Sequence, residues 1–174
     1  MRLVSLPSAI SLLRVPLAAL FLAVEGPAIR AAILAAAAAS DFVDGWLARR
    51  LGQTTRAGEL LDPLTDKIFL VAVLFSFALD GRLAPWQLLV LLGRDLFAIA
   101  AFLTVVVFGL PIRFRARLGG KIVTGVQLAA VLVLLVRPEW IGPLLVVAAV
   151  TGTYAVLDYT HAGLRALRGA ARQG

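Results

Sequence analysis

Six apolar stretches, each about long enough to cross a bilayer, leave this chain very few folds. They run near 7–24, 28–48, 59–80, 84–109, 119–136 and 140–160. A spanning helix takes roughly 20 residues, so six spans with short loops use nearly all of the 174 residues. Between them stand the breakers Glu25-Gly26-Pro27, the Gly52–Gly58 segment, Asp80-Gly81-Arg82, Pro111 through Gly120, and Arg137-Pro138-Glu139. Backbone in lipid must satisfy its own hydrogen bonds, which makes helix the natural assignment. The stretches are too long and too rich in Ala and Leu for barrel strands. Composition agrees: 61% of residues are hydrophobic and 16% charged, against about half and about a quarter in a soluble domain. One domain of this length has no interior large enough to hide so much apolar surface, and disorder needs the opposite composition. The expected fold is an all-α membrane protein of six transmembrane helices, forming a single domain over 1–174.

Absences narrow the chemistry. Without cysteine there is no disulfide framework, thiol nucleophile or zinc-thiolate site, and one histidine, His161, excludes a His-rich metal site. Met1 to Gly26 has the outline of a signal peptide, but Arg14 interrupts its apolar run and Glu25 follows it, so it reads as the first span. The alanine-rich run Ala31 to Ala39 reads as a surface for close helix packing.

Lys and Arg positions set the orientation. One side carries Arg2, Arg49, Arg50, Arg56, Arg113, Arg115, Arg117, Lys121, Arg165, Arg168 and Arg172; the other carries Arg30, Arg82 and Arg137. Eleven cations against three place both termini and the 49–58 and 111–121 loops in the cytoplasm. Arg14, Lys67 and Arg94 remain inside the spans or at their ends.

The acids are the anomaly. The second stretch ends Ser40-Asp41-Phe42-Val43-Asp44-Gly45-Trp46-Leu47-Ala48-Arg49, and the third opens Gly58-Glu59-Leu60-Leu61-Asp62-Pro63-Leu64-Thr65-Asp66-Lys67. On helices, Asp41 and Asp44 share one face, and Gly58, Asp62 and Asp66 share another. The short connection predicts antiparallel neighbours whose acidic faces meet near the cytoplasmic surface. A central Asp in a span costs roughly 2.5 to 3.5 kcal/mol, so the four carboxylates need neutralising. Lys67 and Arg49 offer part of that, and divalent cations offer more. All-oxygen ligands suit Mg²⁺ or Mn²⁺, and two such ions balance four carboxylates. Gly45 and Gly58 fit either a ligand brought close to the backbone or plain helix packing.

Asp41-x2-Asp44-Gly45-x2-Ala48-Arg49-x8-Gly58-x3-Asp62-x3-Asp66 resembles the full signature of the CDP-alcohol phosphotransferases. Pro7-Ser8-Ala9-Ile10-Ser11-Leu12-Leu13-Arg14, Leu61 through Lys67, Gly93-Arg94-Asp95 and Gly120 through Gln127 are similar to landmarks of the phosphatidyltransferase branch. The resemblance implies attack on the β-phosphate of a CDP-linked lipid, CDP-diacylglycerol, by an acceptor hydroxyl, with CMP leaving. It implies that Asp41, Asp44, Asp62 and Asp66 hold the metals and that Asp66 is the general base. It implies a CDP site lined by Gly45, Ala48, Arg49, Thr55 and Gly58. An Asn usually follows the first Pro in this branch; Ser8 stands there instead, a shorter group that still hydrogen-bonds phosphate. A homodimer in a bacterial-type plasma membrane follows from the resemblance, with no nucleic-acid partner.

The acceptor is open at this level. Arg113, Arg115, Arg117 and Lys121 form the densest cationic group. Guanidinium forks suit an anionic acceptor, while positive-inside topology and anionic headgroups account for the same charges. Arg94 stands either with that acceptor site or in a buried pair with Asp95. Chain length favours glycerol 3-phosphate, which makes the enzyme a phosphatidylglycerophosphate synthase; the alternative acceptor, phosphatidylglycerol, makes it a CMP-forming cardiolipin synthase. Two other classes compete. A membrane prenyltransferase needs Asp-rich pairs on well-separated helices, and a transporter or scaffold needs charges at the bilayer midplane. Here the acids lie within one helix–turn–helix, at one end.

Overall fold

The computed structural model describes residues 11–51, 56–107 and 118–170, with the side chains at 44–45, 48–49, 51, 56–63, 106, 118–119, 121, 159 and 162–170 outside the description. Six α-helices account for nearly all of it: α1 (Arg14–Ala23), α2 (Pro27–Leu51), α3 (Arg56–Leu79), α4 (Pro85–Val107), α5 (Leu118–Val136) and α6 (Ile141–Ala170). A single 3₁₀ turn, Pro138–Trp140, precedes α6. No strand occurs among the described residues.

The helices coincide with the six apolar stretches, but two run further than hydropathy suggests. The acidic motif is helical through to Leu51 on α2 and from Arg56 on α3. At the other end of the chain, α6 continues to Ala170, ten residues past the apolar stretch. Helix formation follows backbone hydrogen bonding and caps rather than hydropathy, so polar extensions stay helical.

Local chemistry sets the boundaries. Pro27 and Pro85 open α2 and α4, where a missing N–H costs nothing. Ahead of α4 the Gln87 carboxamide accepts from the Ala84 N–H at 2.8 Å, and the Gln87 N–H returns a bond to the Ala84 carbonyl at 2.9 Å. This is half of a capping box. α3 stops in a Schellman motif: Gly81, at φ 73°, donates to the Ala78 carbonyl and Arg82 to the Phe77 carbonyl. The left-handed backbone there suits glycine.

The chain divides into two compact units, residues 1–83 and 84–174. In the first, α1 packs along α3 and also against α2. Phe21 and Phe77 meet edge to face at 5.8 Å, in a core that includes Ala18, Ile33, Ala37, Leu70, Val73 and Leu74. Of the alanine-rich run, only Ile33 and Ala37 are buried, one stripe with Arg30. In the second unit, α6 packs on both α4 and α5. The fully buried Gln127 of α5 donates to the Leu91 carbonyl at 2.7 Å and to Asp95 Oδ2 at 2.6 Å, tying α5 to α4.

Much of the exterior is apolar. Leu89, Leu96, Ile99, Phe102 and Leu103 stand exposed on α4, and Val146, Val150, Tyr154 and Leu157 on α6. Exposed apolar side chains in this number are the exterior expected of a protein in hydrocarbon. Among the described residues two segments, Pro85–Val105 and Pro138–Asp158, are long and apolar enough to cross a membrane, and Arg14–Ala23 and Ile122–Val136 are shorter apolar helices.

Candidate active site

The acidic motif is drawn together by a residue outside it. Arg14, at the start of α1, is 3% exposed. Its Nη2 donates to Asp41 Oδ1 of α2 at 2.9 Å, and its Nη1 donates to Asp66 Oδ1 of α3. The carboxylates are much more open than their partner, with side chains 67% and 50% exposed. A planar guanidinium spans two carboxylates through its two terminal nitrogens with little loss of freedom. Without such partners its burial would be prohibitive. Ser11 and Thr65 are buried in the same unit.

The first and last aspartates of the motif therefore converge on one guanidinium although they lie on different helices. The spacing argument anticipated the meeting and proposed Lys67 and Arg49 as counter-charges; the structure adds Arg14. The signal was present in the sequence, because a lone arginine inside an apolar stretch requires an acid partner.

Other expected site residues are placed by helix alone. Asp44, Gly45, Ala48 and Arg49 lie on α2, and Gly58 and Asp62 on α3, with their side chains outside the description. Helical spacing keeps Asp41 with Asp44, and Asp62 with Asp66, on common faces. Ser8, Thr55, Arg113, Arg115 and Arg117 lie outside the described residues, and Lys121 lies on α5 with its side chain outside them. Arg50, next to the motif, stacks over the Trp46 ring at 4.6 Å. Arg94 bonds Asp95 through Nη1 at 2.8 Å, and Asp95 is also held by Gln127, which favours the buried pair for Arg94.

The donor set suits a hard divalent cation. Two carboxylates from separate helices approach within one guanidinium's span, and each keeps half or more of its side chain open. No group of three metal-ligating side chains converges among the described residues, where the side chains of two of the four motif aspartates, Asp41 and Asp66, are described.

A second buried arginine closes the opposite end of these helices. Arg30 of α2 donates through Nε to the Val24 carbonyl at 3.1 Å and through Nη2 to Ser76 Oγ at 3.0 Å. It also holds both Asp80 oxygens and lies over the Phe21 and Phe77 rings at 5.1 and 5.7 Å. The Arg30 hydrogen bonds hold the Asp80 carboxyl below its ordinary value, against a smaller opposing effect of burial.

The family model for CDP-alcohol phosphatidyltransferase matches residues 4–156, across both units. A Shigella flexneri protein named CDP-diacylglycerol–glycerol-3-phosphate 3-phosphatidyltransferase is 32% identical over 172 residues, 91% of this chain and 94% of that one. An Aquifex aeolicus protein of the same name is 48% identical over 58 residues, 32% of this chain and 33% of that one. A Mycobacterium bovis protein named "Putative cardiolipin synthase" is 37% identical over 98 residues, 54% of this chain and 47% of that one. The chain thus spans about half the length of that mycobacterial relative. The family is membrane-embedded, in keeping with the apolar exterior. The motif, its gathering on Arg14 and a match over most of the sequence lead to one conclusion: the chain belongs to the CDP-alcohol phosphatidyltransferase family.

Proposed function

We propose that this protein is an integral-membrane phosphatidyltransferase that moves the phosphatidyl group of CDP-diacylglycerol to an acceptor alcohol and releases CMP. The observation that carries the proposal is the meeting of Asp41 and Asp66, from two helices, at a half-open acidic site. The acceptor is glycerol 3-phosphate, the substrate in the name of the relative aligned over 91% of this chain. Phosphatidylglycerol is the second reading, supported by the cardiolipin synthase name of the mycobacterial relative.

Asp66 takes the proton of the acceptor hydroxyl as its oxygen attacks the β-phosphorus; the bond to the bridging oxygen breaks, and CMP departs with that electron pair. A carboxylate of this kind is a weak base, so positioning of the two substrates supplies much of the rate. Asp41, Asp44, Asp62 and Asp66 would hold two divalent cations, Mg²⁺ or Mn²⁺, whose contribution is neutralisation of the pyrophosphate and of the leaving CMP. Gly45, Ala48 and Gly58 keep the backbone open to the nucleotide, while Arg49, Thr55 and Ser8 hydrogen-bond the diphosphate. Arg113, Arg115, Arg117 and Lys121 attract the anionic acceptor, and Arg94 serves as the buried partner of Asp95. The chain forms a single domain of six spans, with both termini and the site cytoplasmic, acting as a homodimer in a bacterial inner membrane.

The test is CMP release by purified protein from CDP-diacylglycerol, with Mg²⁺ or Mn²⁺ and each acceptor side by side. Glycerol 3-phosphate is expected to support the faster release; a preference for phosphatidylglycerol would move the assignment to the second reading. If no alcohol supported release, the activity would be wrong. Because the chain has no cysteine, single substitutions report topology cleanly. Gln53→Cys is expected to react with an impermeant thiol reagent only from the cytoplasmic side, and Glu139→Cys only from the outer side.

A further inference from the structure

We propose that Arg14 is a positioning residue: a counter-cation built into the fold that keeps Asp41 and Asp66 together from the buried side when no divalent cation is bound. The inference rests on the metal-dependent reading above and extends it to a residue outside the motif.

Arg14 is almost wholly buried, and its two terminal nitrogens reach two different helices. That geometry fixes the plane of the guanidinium. Its partners are half-open or more, so the carboxylates meet Arg14 on a sheltered side and the surroundings on the other. A cation arriving from the open side shares the carboxylates with Arg14. It does not need to evict it, and eviction would strand a buried charge. Remove Arg14, and the two carboxylates on neighbouring helices lose the cation that bridges them. A bound divalent cation then does the same work. Arg14 and the metal therefore substitute for each other electrostatically, and stability in the absence of metal is where Arg14 matters most.

The prediction concerns how metal changes the melting temperature of detergent-solubilised protein. In EDTA, Arg14→Met is expected to melt at least about 5 °C below wild type, the scale set by losing one partner of a buried ion pair in a chain of this size. Saturating Mn²⁺ is expected to recover most of that loss, so the Mn²⁺-induced shift is larger in the variant than in wild type. Arg14→Lys, which keeps the charge without the two-pronged fork, is expected to fall between them. An equal loss in EDTA and in Mn²⁺ would make Arg14 an ordinary structural residue and overturn the proposal. So would an unchanged melt in EDTA, or a wild type that Mn²⁺ does not stabilise.

Should Arg14→Met not fold, the double variant Arg14→Met/Asp41→Asn relieves the uncompensated charge and is expected to be recovered folded. Failure of that variant too would show that Arg14 acts outside the acidic cluster, against the proposal. Wild-type CMP release run in parallel separates the two claims. No CMP with intact metal-linked melting defeats the activity alone, whereas CMP release with equal losses in both media defeats the role of Arg14 alone.

Discussion

Two buried arginines stand at opposite ends of the same three helices and meet opposite kinds of acid. Arg30 and Arg14 are 4% and 3% exposed. Arg30 faces one carboxylate, Asp80, whose side chain is 28% exposed, with Ser76, a carbonyl and two aromatic rings taking up the rest of its surroundings. Among the described residues, Arg14 faces Asp41 and Asp66, whose side chains are 67% and 50% exposed. The acids Asp66 and Asp80 are fourteen residues apart on one chain segment, or about 20 Å along a helix. At one end charge is matched and sheltered, which is what a structural clasp needs. At the other, acid is in excess and open, which a structural clasp has no use for and a cation site requires. The balance of charge and the openness of the acid separate the two roles, because burial of the arginine is the same in both.

The largest effect expected of this difference is on turnover. Asp66→Asn is expected to lower CMP release at least about 100-fold, the usual scale for losing a general base, and to leave the melting temperature in EDTA within a few degrees of wild type. Wild-type turnover in this variant would remove Asp66 from the chemistry and leave the open end without a base.

Arg30→Met tests the other end. Stranding Asp80 is expected to cost about 3 kcal/mol, or roughly 6–12 °C in melting temperature for a chain of this length. The loss is expected to be the same in EDTA and in Mn²⁺, with turnover per folded molecule preserved. A metal-dependent loss would erase the contrast between the two arginines.

How far these roles were legible in the sequence depends on the range of the interaction. The helices were legible because hydropathy and breakers act locally: Pro27, Pro85 and Gly81 stand at the boundaries the structure shows. The motif was legible because Asp41 with Asp44, and Asp62 with Asp66, need only helical periodicity to share a face. That Arg14 needs an acid was legible from its place in an apolar stretch, but which acids it meets was not, because it lies 27 residues from Asp41 and 52 from Asp66. Nearby Lys67 and Arg49 are what local spacing offers. Arg30 and Arg82, the neighbour of Asp80 in its turn, were assigned to the same side by topology, but the pairing of Arg30 with Asp80 across 50 residues depends on how α1, α2 and α3 pack. Gln127 entered only as the end of the Gly120–Gln127 landmark, and only tertiary structure shows it holding Asp95.

Acid offers a gentler probe of the sheltered end. The folded carboxyl of Asp80 titrates below its unfolded value of about 3.8, chiefly through the Arg30 hydrogen bonds. Its contribution to stability is therefore complete above the unfolded value and is lost as pH falls through the folded one. Melting temperature measured against pH is expected to show wild type above Asp80→Asn near neutrality, with the gap closing below about pH 4. A gap that persisted at low pH would mean that the clasp works by packing, through Phe21 and Phe77, more than by charge.

The smallest expected effect extends the same criterion to the second unit. Arg94 and Asp95 form a matched pair, with side chains only 14% and 9% exposed, and Gln127 donates a further hydrogen bond to Asp95. By charge balance and shelter this pair resembles the Arg30 clasp and differs from the Arg14 site. Arg94→Met is therefore expected to lower the melting temperature while leaving the acceptor KM unchanged. Arg113→Ala or Arg115→Ala, in the densest cationic segment, is expected to raise the acceptor KM roughly threefold, the yield of one weak charge contact, with stability unchanged. If the acceptor KM responded to Arg94 and ignored both Arg113 and Arg115, a sheltered, matched pair would be binding substrate. Openness of the charge would then no longer distinguish a site from a clasp in this protein.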